Sequence, residues 1–194
     1  MIYTVTMNPS LDYLLSLPAL QAGEQNRSAA ERLVAGGKGI NVSKMLYNLG
    51  TDSIIWGFAG GFSGEELCRQ LTAAGLRQDL IFLHNGNTRI NVKLSAGQET
   101  EVNAAGPKAE EEALQIFYRR LEALTAEDYV VLSGSLLPGM PCNSYRQIMQ
   151  QLQGRGVHFI VDTTGESLRE TLPLHPFLIK PNQRELEELF KTEL

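Results

Sequence analysis

Residues 108–135 read "KAEEEALQIFYRRLEALTAEDYVVLSGS", and the spacing of their apolar residues indicates the class of fold. Apolar residues from Leu114 to Leu124 recur at helical spacing, which predicts an amphipathic helix over 108–125. A short, continuously apolar strand is predicted next, over 129–135, and it ends in small polar residues. Strands of this kind are typical of a parallel sheet that is buried on both faces.

The same order of helices and apolar strands continues on both sides of this stretch. Val42, Met45, Leu46 and Leu49 define one apolar face of an upstream helix, and Ser63 begins a predicted capping box with Glu66. The remaining sequence predicts strands over 2–8, 53–61, 80–84, 157–165 and 178–183, and helices over 41–50, 63–75, 144–152 and 182–190. This order predicts an α/β protein with a mostly parallel sheet.

Two regions do not fit that layer, because their strands are half polar. Short extended pieces are predicted within 11–35, on either side of a polar turn. Residues 88–95 and 98–103 alternate in polarity and are joined by Ala-Gly, which predicts a hairpin with one solvated face. We expect these regions to form a separate small sheet.

Composition limits the class of protein. The 194 residues carry 17 basic and 22 acidic side chains, a net charge of −5, which argues against bulk binding to nucleic acid or anionic membranes. The spacing of the three histidines suggests no metal site. Cys68 and Cys142 are predicted to be free thiols, and neither a signal peptide nor an apolar run of membrane length is found. A cytoplasmic protein is expected.

Residues 34–43, "VAGGKGINVS", place three glycines and Lys38 at a predicted helix start. Bare backbone, free N–H groups and a positive charge favour an anion such as phosphate; a turn with a solvated lysine is the alternative. Ligands of open parallel sheets bind beyond the carboxyl ends of the strands, and polar residues collect after five predicted strands. Among them are Asn8, Ser10, Asp12, Ser135, Asp162, Lys180 and Asn182. Neither the P-loop nor the dinucleotide glycine pattern occurs.

Seven stretches, in order, resemble the PfkB-type, ribokinase-like carbohydrate kinases: "TMNPSLD", "GGKGINVS", "GFAGGFSG", "TRINVK", "SGSLLPG", "DTTGE" and "KPNQRELE". The stretch "NTRINVKLSAGQETEVNAAGP" favours the 1-phosphofructokinase branch over tagatose-6-phosphate kinases. The resemblance implies a three-layer α/β/α core, with the small sheet as a lid over the sugar. It also implies ATP and Mg²⁺ as cofactors, and phosphoryl transfer to the 6-hydroxyl of fructose 1-phosphate.

The resemblance also implies roles for individual residues. Lys38 and Arg89 would pair with the phosphate of the substrate, Arg27 on the lid could join them, and Glu185 would orient waters on Mg²⁺. The full implied substrate set is Asp12, Arg27, Gly36, Gly37, Lys38, Asn41, Arg89 and Ser135, and the implied nucleotide set is Lys180, Asn182 and Glu185. Local structure offers alternatives: Asp12 as a turn cap, Asn41 as a helix N-cap, and Asn182 with Glu185 as a capping box.

The catalytic G-A-G-D segment of this family is not found in residues 1–194. We therefore expect the amino-terminal portion of one ribokinase-like domain, with the carboxy-terminal part missing and no turnover by this piece alone. The alternatives are another PfkB-type sugar kinase and, if the chain ends at residue 194, a non-catalytic protein that binds a sugar phosphate. A homodimer through the lid is possible; nucleic acid and membrane are not expected as partners.

Overall fold

The computed structural model describes residues 1–192. Its strands are β1 (Ile2–Thr6), β2 (Ser10–Ser16), β3 (Ala30–Gly36), β4 (Ser53–Gly60), β5 (Arg77–Leu83), β6 (Arg89–Ala96), β7 (Gln98–Val102), β8 (Tyr129–Ser133), β9 (His158–Asp162) and β10 (Leu178–Ile179). Its helices are α1 (Lys38–Asn48), α2 (Gly61–Ala73), α3 (Glu111–Leu121), α4 (Ser144–Gln151), α5 (Gly165–Thr171) and α6 (Gln183–Phe190). None of these helices is long and apolar enough to cross a membrane.

Six strands form the main sheet in the order β10-β9-β8-β1-β4-β5, and every neighbouring pair is parallel. Successive residues of a strand face opposite layers. Ile55 of β4 therefore packs with Leu67 and the other apolar residues of α1 and α2. Its neighbour Trp56 packs with Phe117 on the face that α3, α4 and α5 cover. The predicted three-layer α/β/α core is confirmed.

A second, four-stranded sheet has the order β3-β2-β6-β7. The pairs β2–β3 and β6–β7 are antiparallel, whereas β2 and β6 run parallel. The predicted hairpin over 88–103 is confirmed, and Gly97 occupies its turn with a φ of 77°. Both half-polar regions of the sequence thus belong to this sheet, which we call the lid sheet.

The predicted apolar face of the first helix is wrong. Met45 and Leu49 are 59% and 71% exposed, while the buried positions of α1 include Ile40 and Ser43. Helix α1 begins at Lys38, before the predicted start, and turns Ser43 onto the sheet, where its hydroxyl bonds Thr4 Oγ1 at 2.7 Å. Hydrophobic periodicity cannot predict a polar contact of this kind between a helix and a sheet.

Two smaller differences concern helix starts and short helices. The capping box predicted at Ser63 and Glu66 is wrong: α2 begins at Gly61, and the Ser63 hydroxyl donates to the Thr88 carbonyl at 2.7 Å. Helix α5 has no counterpart in the sequence prediction. It spans only seven residues, too few for periodicity to detect, and is held to the core by the buried Leu168.

Candidate functional site

A polar cavity of about 460 Å³ lies between the lid sheet and the carboxyl ends of the main strands. Its wall contains six of the predicted substrate residues: Asp12, Gly37, Lys38, Asn41, Arg89 and Ser135. Other wall residues come from both sheets and include Thr6, Asn8, Ser10, Asn91, Lys93, Glu101, Asn103, Thr163 and Thr164. The topology therefore brings together residues that are far apart in the sequence.

Asp12 on β2 is held at the lid side of the cavity. Its Oδ1 accepts hydrogen bonds from Ser10 Oγ at 2.8 Å and Asn91 Nδ2 at 2.9 Å, and its Oδ2 lies 3.2 Å from Lys93 Nζ. Lys93 also pairs with Glu101 at 3.3 Å. Burial alone would lower the pKa of Lys93, but these carboxylates outweigh it and raise that pKa. The result is a rigid array of oxygen and nitrogen groups suited to sugar hydroxyls.

Arg89, at the start of β6, differs from the other cations of the cavity. Its Nε donates to the Asn8 carbonyl at 3.1 Å and its Nη1 reaches the Ala104 carbonyl at 3.5 Å. Within residues 1–192 it forms no ion pair with a carboxylate, whereas Lys38 and Lys93 both do. Burial acts to lower the pKa of Arg89, and the charge of Asp12 opposes this. A half-buried positive charge without a carboxylate in ion-pair contact favours an anionic ligand.

Lys38 lies on the opposite side, in a cluster of charges. Its Nζ is 3.1 Å from Asp162 Oδ1 and 3.6 Å from Glu185 Oε1. Lys180 approaches the same Asp162 oxygen at 3.3 Å, although its side chain is 65% exposed. Lys38 thus lines the cavity with Arg89, but its ammonium group already contacts two carboxylates. Its predicted pairing with the substrate phosphate stays a prediction.

The glycines before Lys38 are required by packing. A Cβ on Gly36 would lie 2.7 Å from Asp12 Oδ2, so a side chain there would displace that carboxylate. Gly37 has a φ of 129°, a conformation that glycine adopts readily, and it is the N-cap of α1. The alternative of Asn41 as the N-cap is therefore wrong: Asn41 lies inside the first turn, with its side chain at the cavity wall.

Asn182 and Glu185 form the capping box that local structure offered as an alternative. Asn182 Oδ1 accepts from the Glu185 N–H at 2.8 Å, and Glu185 Oε2 accepts from the Asn182 N–H at 2.9 Å. The other oxygen of Glu185 faces Lys38 and is of the type that Mg²⁺ prefers. Among the described residues, no group of three or more His, Cys, Asp or Glu side chains could hold a metal. Contact of Glu185 with Mg²⁺ through water stays a prediction.

Two of the predicted substrate residues, Gly36 and Arg27, do not line this cavity, and several residues that do line it were not predicted. Arg27 lies in the exposed connection between β2 and β3 and does not line the cavity. Asn91 and Lys93 were not among the predicted site residues, yet both contact Asp12. The sequence could have indicated both residues, because Arg89, Asn91 and Lys93 alternate along β6 and therefore share one face of the strand.

Comparison with known proteins identifies the family of this chain. The model of the pfkB family of carbohydrate kinases matches residues 5–194. The chain is 39% identical to the 1-phosphofructokinase of Bacillus subtilis and 41% identical to that of Borreliella burgdorferi, in each case over all of its 194 residues. It spans 64% and 62% of the length of these two relatives.

A solved structure gives the same result for the fold. Phosphofructokinase-2 of Escherichia coli, crystallised in complex with substrates and products, superposes with a TM-score of 0.94 at 30% identity. The superposition covers 100% of this chain and 64% of that one. The predicted family resemblance is confirmed: the chain belongs to the pfkB family of carbohydrate kinases.

Proposed function

We propose that this chain provides the sugar-phosphate site of an ATP-dependent kinase that converts fructose 1-phosphate to fructose 1,6-bisphosphate. The main support for the proposal is the environment of Arg89. This half-buried cation lies at the wall of a polar cavity and has no carboxylate partner among the described residues. The names of the two bacterial relatives favour fructose 1-phosphate as the substrate.

In this proposal the two ends of the cavity recognise different parts of the substrate. The Arg89 guanidinium would bind the 1-phosphate, because charge-assisted bonds to phosphate are strong and geometrically specific. Ser135, which shares the cavity wall and an adjoining cavity of about 530 Å³ with Arg89, would donate to the same group. Asp12 and Asn91 would orient the sugar hydroxyls.

ATP and Mg²⁺ are the proposed cofactors, and the metal would neutralise charge that develops on the transferring phosphoryl group. Glu185 would contact Mg²⁺ through water, and Lys180 and Asn182 would lie beside the nucleotide. Lys38, between Asp162 and Glu185, sits at the boundary between these residues and the sugar. We assign no described residue as the base that accepts the hydroxyl proton, so turnover by these 194 residues is not expected.

Isothermal titration calorimetry on the 194-residue chain tests this proposal. We expect fructose 1-phosphate to bind more tightly than tagatose 6-phosphate and at least tenfold more tightly than fructose, which lacks the charge that Arg89 would recognise. A coupled assay with ATP measures turnover in parallel. Equal affinity for fructose and fructose 1-phosphate would contradict the proposal, and a preference for tagatose 6-phosphate would favour the alternative sugar kinase.

A further inference from the structure

Asn8, between β1 and β2, links two loops that border the cavity. Its side chain is buried, with the residue only 4% exposed. Nδ2 donates to the Ala105 carbonyl at 2.9 Å and to the Leu136 carbonyl at 3.2 Å. The first acceptor lies in the loop after β7 and the second in the loop after β8, directly beside Ser135. One amide therefore fixes the distance between these loops.

Arg89 depends on the same residue. Its Nε donates to the main-chain carbonyl of Asn8 at 3.1 Å, and its Nη1 reaches Ala104, the neighbour of the carbonyl that Asn8 holds. Among residues 1–192, every hydrogen bond of the Arg89 side chain thus goes to Asn8 or to the loop that Asn8 anchors.

The packing around Asn8 leaves little freedom. Gly106, in the first loop, has a φ of 90°, and a Cβ there would lie 2.4 Å from Asn8 Oδ1. Oδ1 itself is buried without a hydrogen-bond donor in the part of the chain that the structure describes. The contribution of Asn8 therefore comes from its Nδ2 donor, which aspartate lacks although its shape is the same.

We propose that Asn8 is a positioning residue that aims the Arg89 guanidinium, and the loop of Ser135, at the phosphate of the substrate. This inference rests on the proposed function and assigns Asn8 a role through the two loop carbonyls that its side-chain amide bonds. Its role is to hold Arg89 in one orientation, so that binding an anion requires no rearrangement of the cavity wall.

The experiment compares the variants Asn8→Asp and Asn8→Ala with Arg89→Lys and with each double variant. We expect each Asn8 substitution to weaken fructose 1-phosphate binding about tenfold in calorimetry, because two hydrogen bonds are lost. In the Arg89→Lys background the same substitutions should change affinity by no more than about twofold, since residues that act through one another are not additive. The neutral alanine variant controls for the charge of aspartate.

A second measurement needs no ligand. Phenylglyoxal modifies accessible arginines, and peptide mass spectrometry reports its rate at Arg89. We expect that rate to rise in both Asn8 variants and in Gly106→Ala, which disturbs the contact from the side of the loop. Asn143→Asp is the matched control, because Asn143 Oδ1 is also buried and unpaired but the residue does not line the cavity.

The outcomes separate the two proposals. If the unmodified chain does not bind fructose 1-phosphate, the proposed function fails, while the labelling rate still tests whether Asn8 holds Arg89. If the chain binds, then unchanged labelling of Arg89, unchanged affinity in the Asn8 variants, or full additivity with Arg89→Lys each overturns the inference. Thermal midpoints of all variants establish that the compared proteins are folded.

Discussion

At the scale of residues, the structure separates two cations that the sequence treats as equals. Lys38 and Arg89 line one cavity, but Lys38 contacts Asp162 and Glu185, while the bonds of Arg89 within residues 1–192 go to main-chain carbonyls. A ligand phosphate near Lys38 would compete with two carboxylates. Near Arg89 it would form an ion pair that no carboxylate among the described residues forms.

We therefore predict that Arg89→Met weakens fructose 1-phosphate binding by about tenfold to a hundredfold, because a hydrogen bond to a charged group contributes about 1.5–3 kcal/mol. Lys38→Met should weaken it less. Calorimetry measures both, and Arg155→Met, at an exposed position outside the cavity, is the control. A larger loss of affinity in Lys38→Met would instead indicate that the phosphate binds beside Lys38 and the glycines that precede it.

At the scale of elements, β3 shows how a lid strand is attached to the core. It is an edge strand, and edge strands expose unpaired main-chain groups. Gln70 of α2 substitutes for a neighbouring strand: its Oε1 accepts from the Ala35 N–H at 2.7 Å and its Nε2 donates to the Leu33 carbonyl at 3.1 Å. Lys44 of α1 donates to the Ala35 carbonyl. These contacts fix the strand directly before Gly36.

Replacing Gln70 by methionine should lower the free energy of unfolding by about 1–3 kcal/mol, because the Ala35 N–H is buried and would lose its partner. Urea unfolding measures this change. Gln115→Met is the matched control, since Gln115 is on the exposed face of α3 and its side chain bonds Glu111 one turn away on the same helix. Equal midpoints for the two variants would show that the Gln70 amide contributes nothing to the attachment of β3.

Glu66 should make this attachment depend on pH. Hydrogen bonds from Arg69, and then from Gln70, lower the pKa of Glu66 to about 2 from 4.5. A carboxyl group with a depressed folded-state pKa stabilises the fold above its unfolded pKa, and this contribution is lost as the pH falls towards the folded value. The stability advantage over Glu66→Gln should be constant above pH 5 and shrink between about pH 4.5 and 2. Thermal midpoints across this range test it; an advantage that persists at pH 2 would contradict it.

At the scale of the whole molecule, the cavity is shared between two sheets. Asp12, Arg89 and Lys93 belong to the lid sheet. Lys38 begins helix α1 of the core, and Ser135 lies in the loop after β8. A ligand that fills this space contacts both parts at once. Binding should therefore stabilise the lid and the core together.

Hydrogen exchange with mass spectrometry tests this coupling. We expect saturating fructose 1-phosphate to slow exchange in β2 and β6 and also in the loop after β8. In Arg89→Lys, measured at the same ligand concentration, protection should fall in both regions. Protection confined to the core would show that the sugar does not bridge the two sheets. Pairing of lid sheets between subunits and a cytoplasmic location stay predictions.

Much of the architecture could be predicted because it follows from local patterns. The helix over 108–125 and the apolar strand after it became α3 and β8, since periodicity reports directly which faces are buried. The exposed apolar face of α1 could not be predicted in this way. What α1 buries depends on the hydroxyl contact between Ser43 and Thr4, which are 39 residues apart.

Periodicity and short motifs were enough to predict the layered class of the fold, the half-polar second sheet, the family and six residues of the cavity wall. Which charges meet could be seen only in the folded chain. Lys38 pairs with Asp162 and Asp12 with Lys93, while Arg89 is left without a carboxylate partner within residues 1–192. The physical reason is that electrostatic pairing depends on distances of a few ångströms between strand ends, and chain order does not contain those distances.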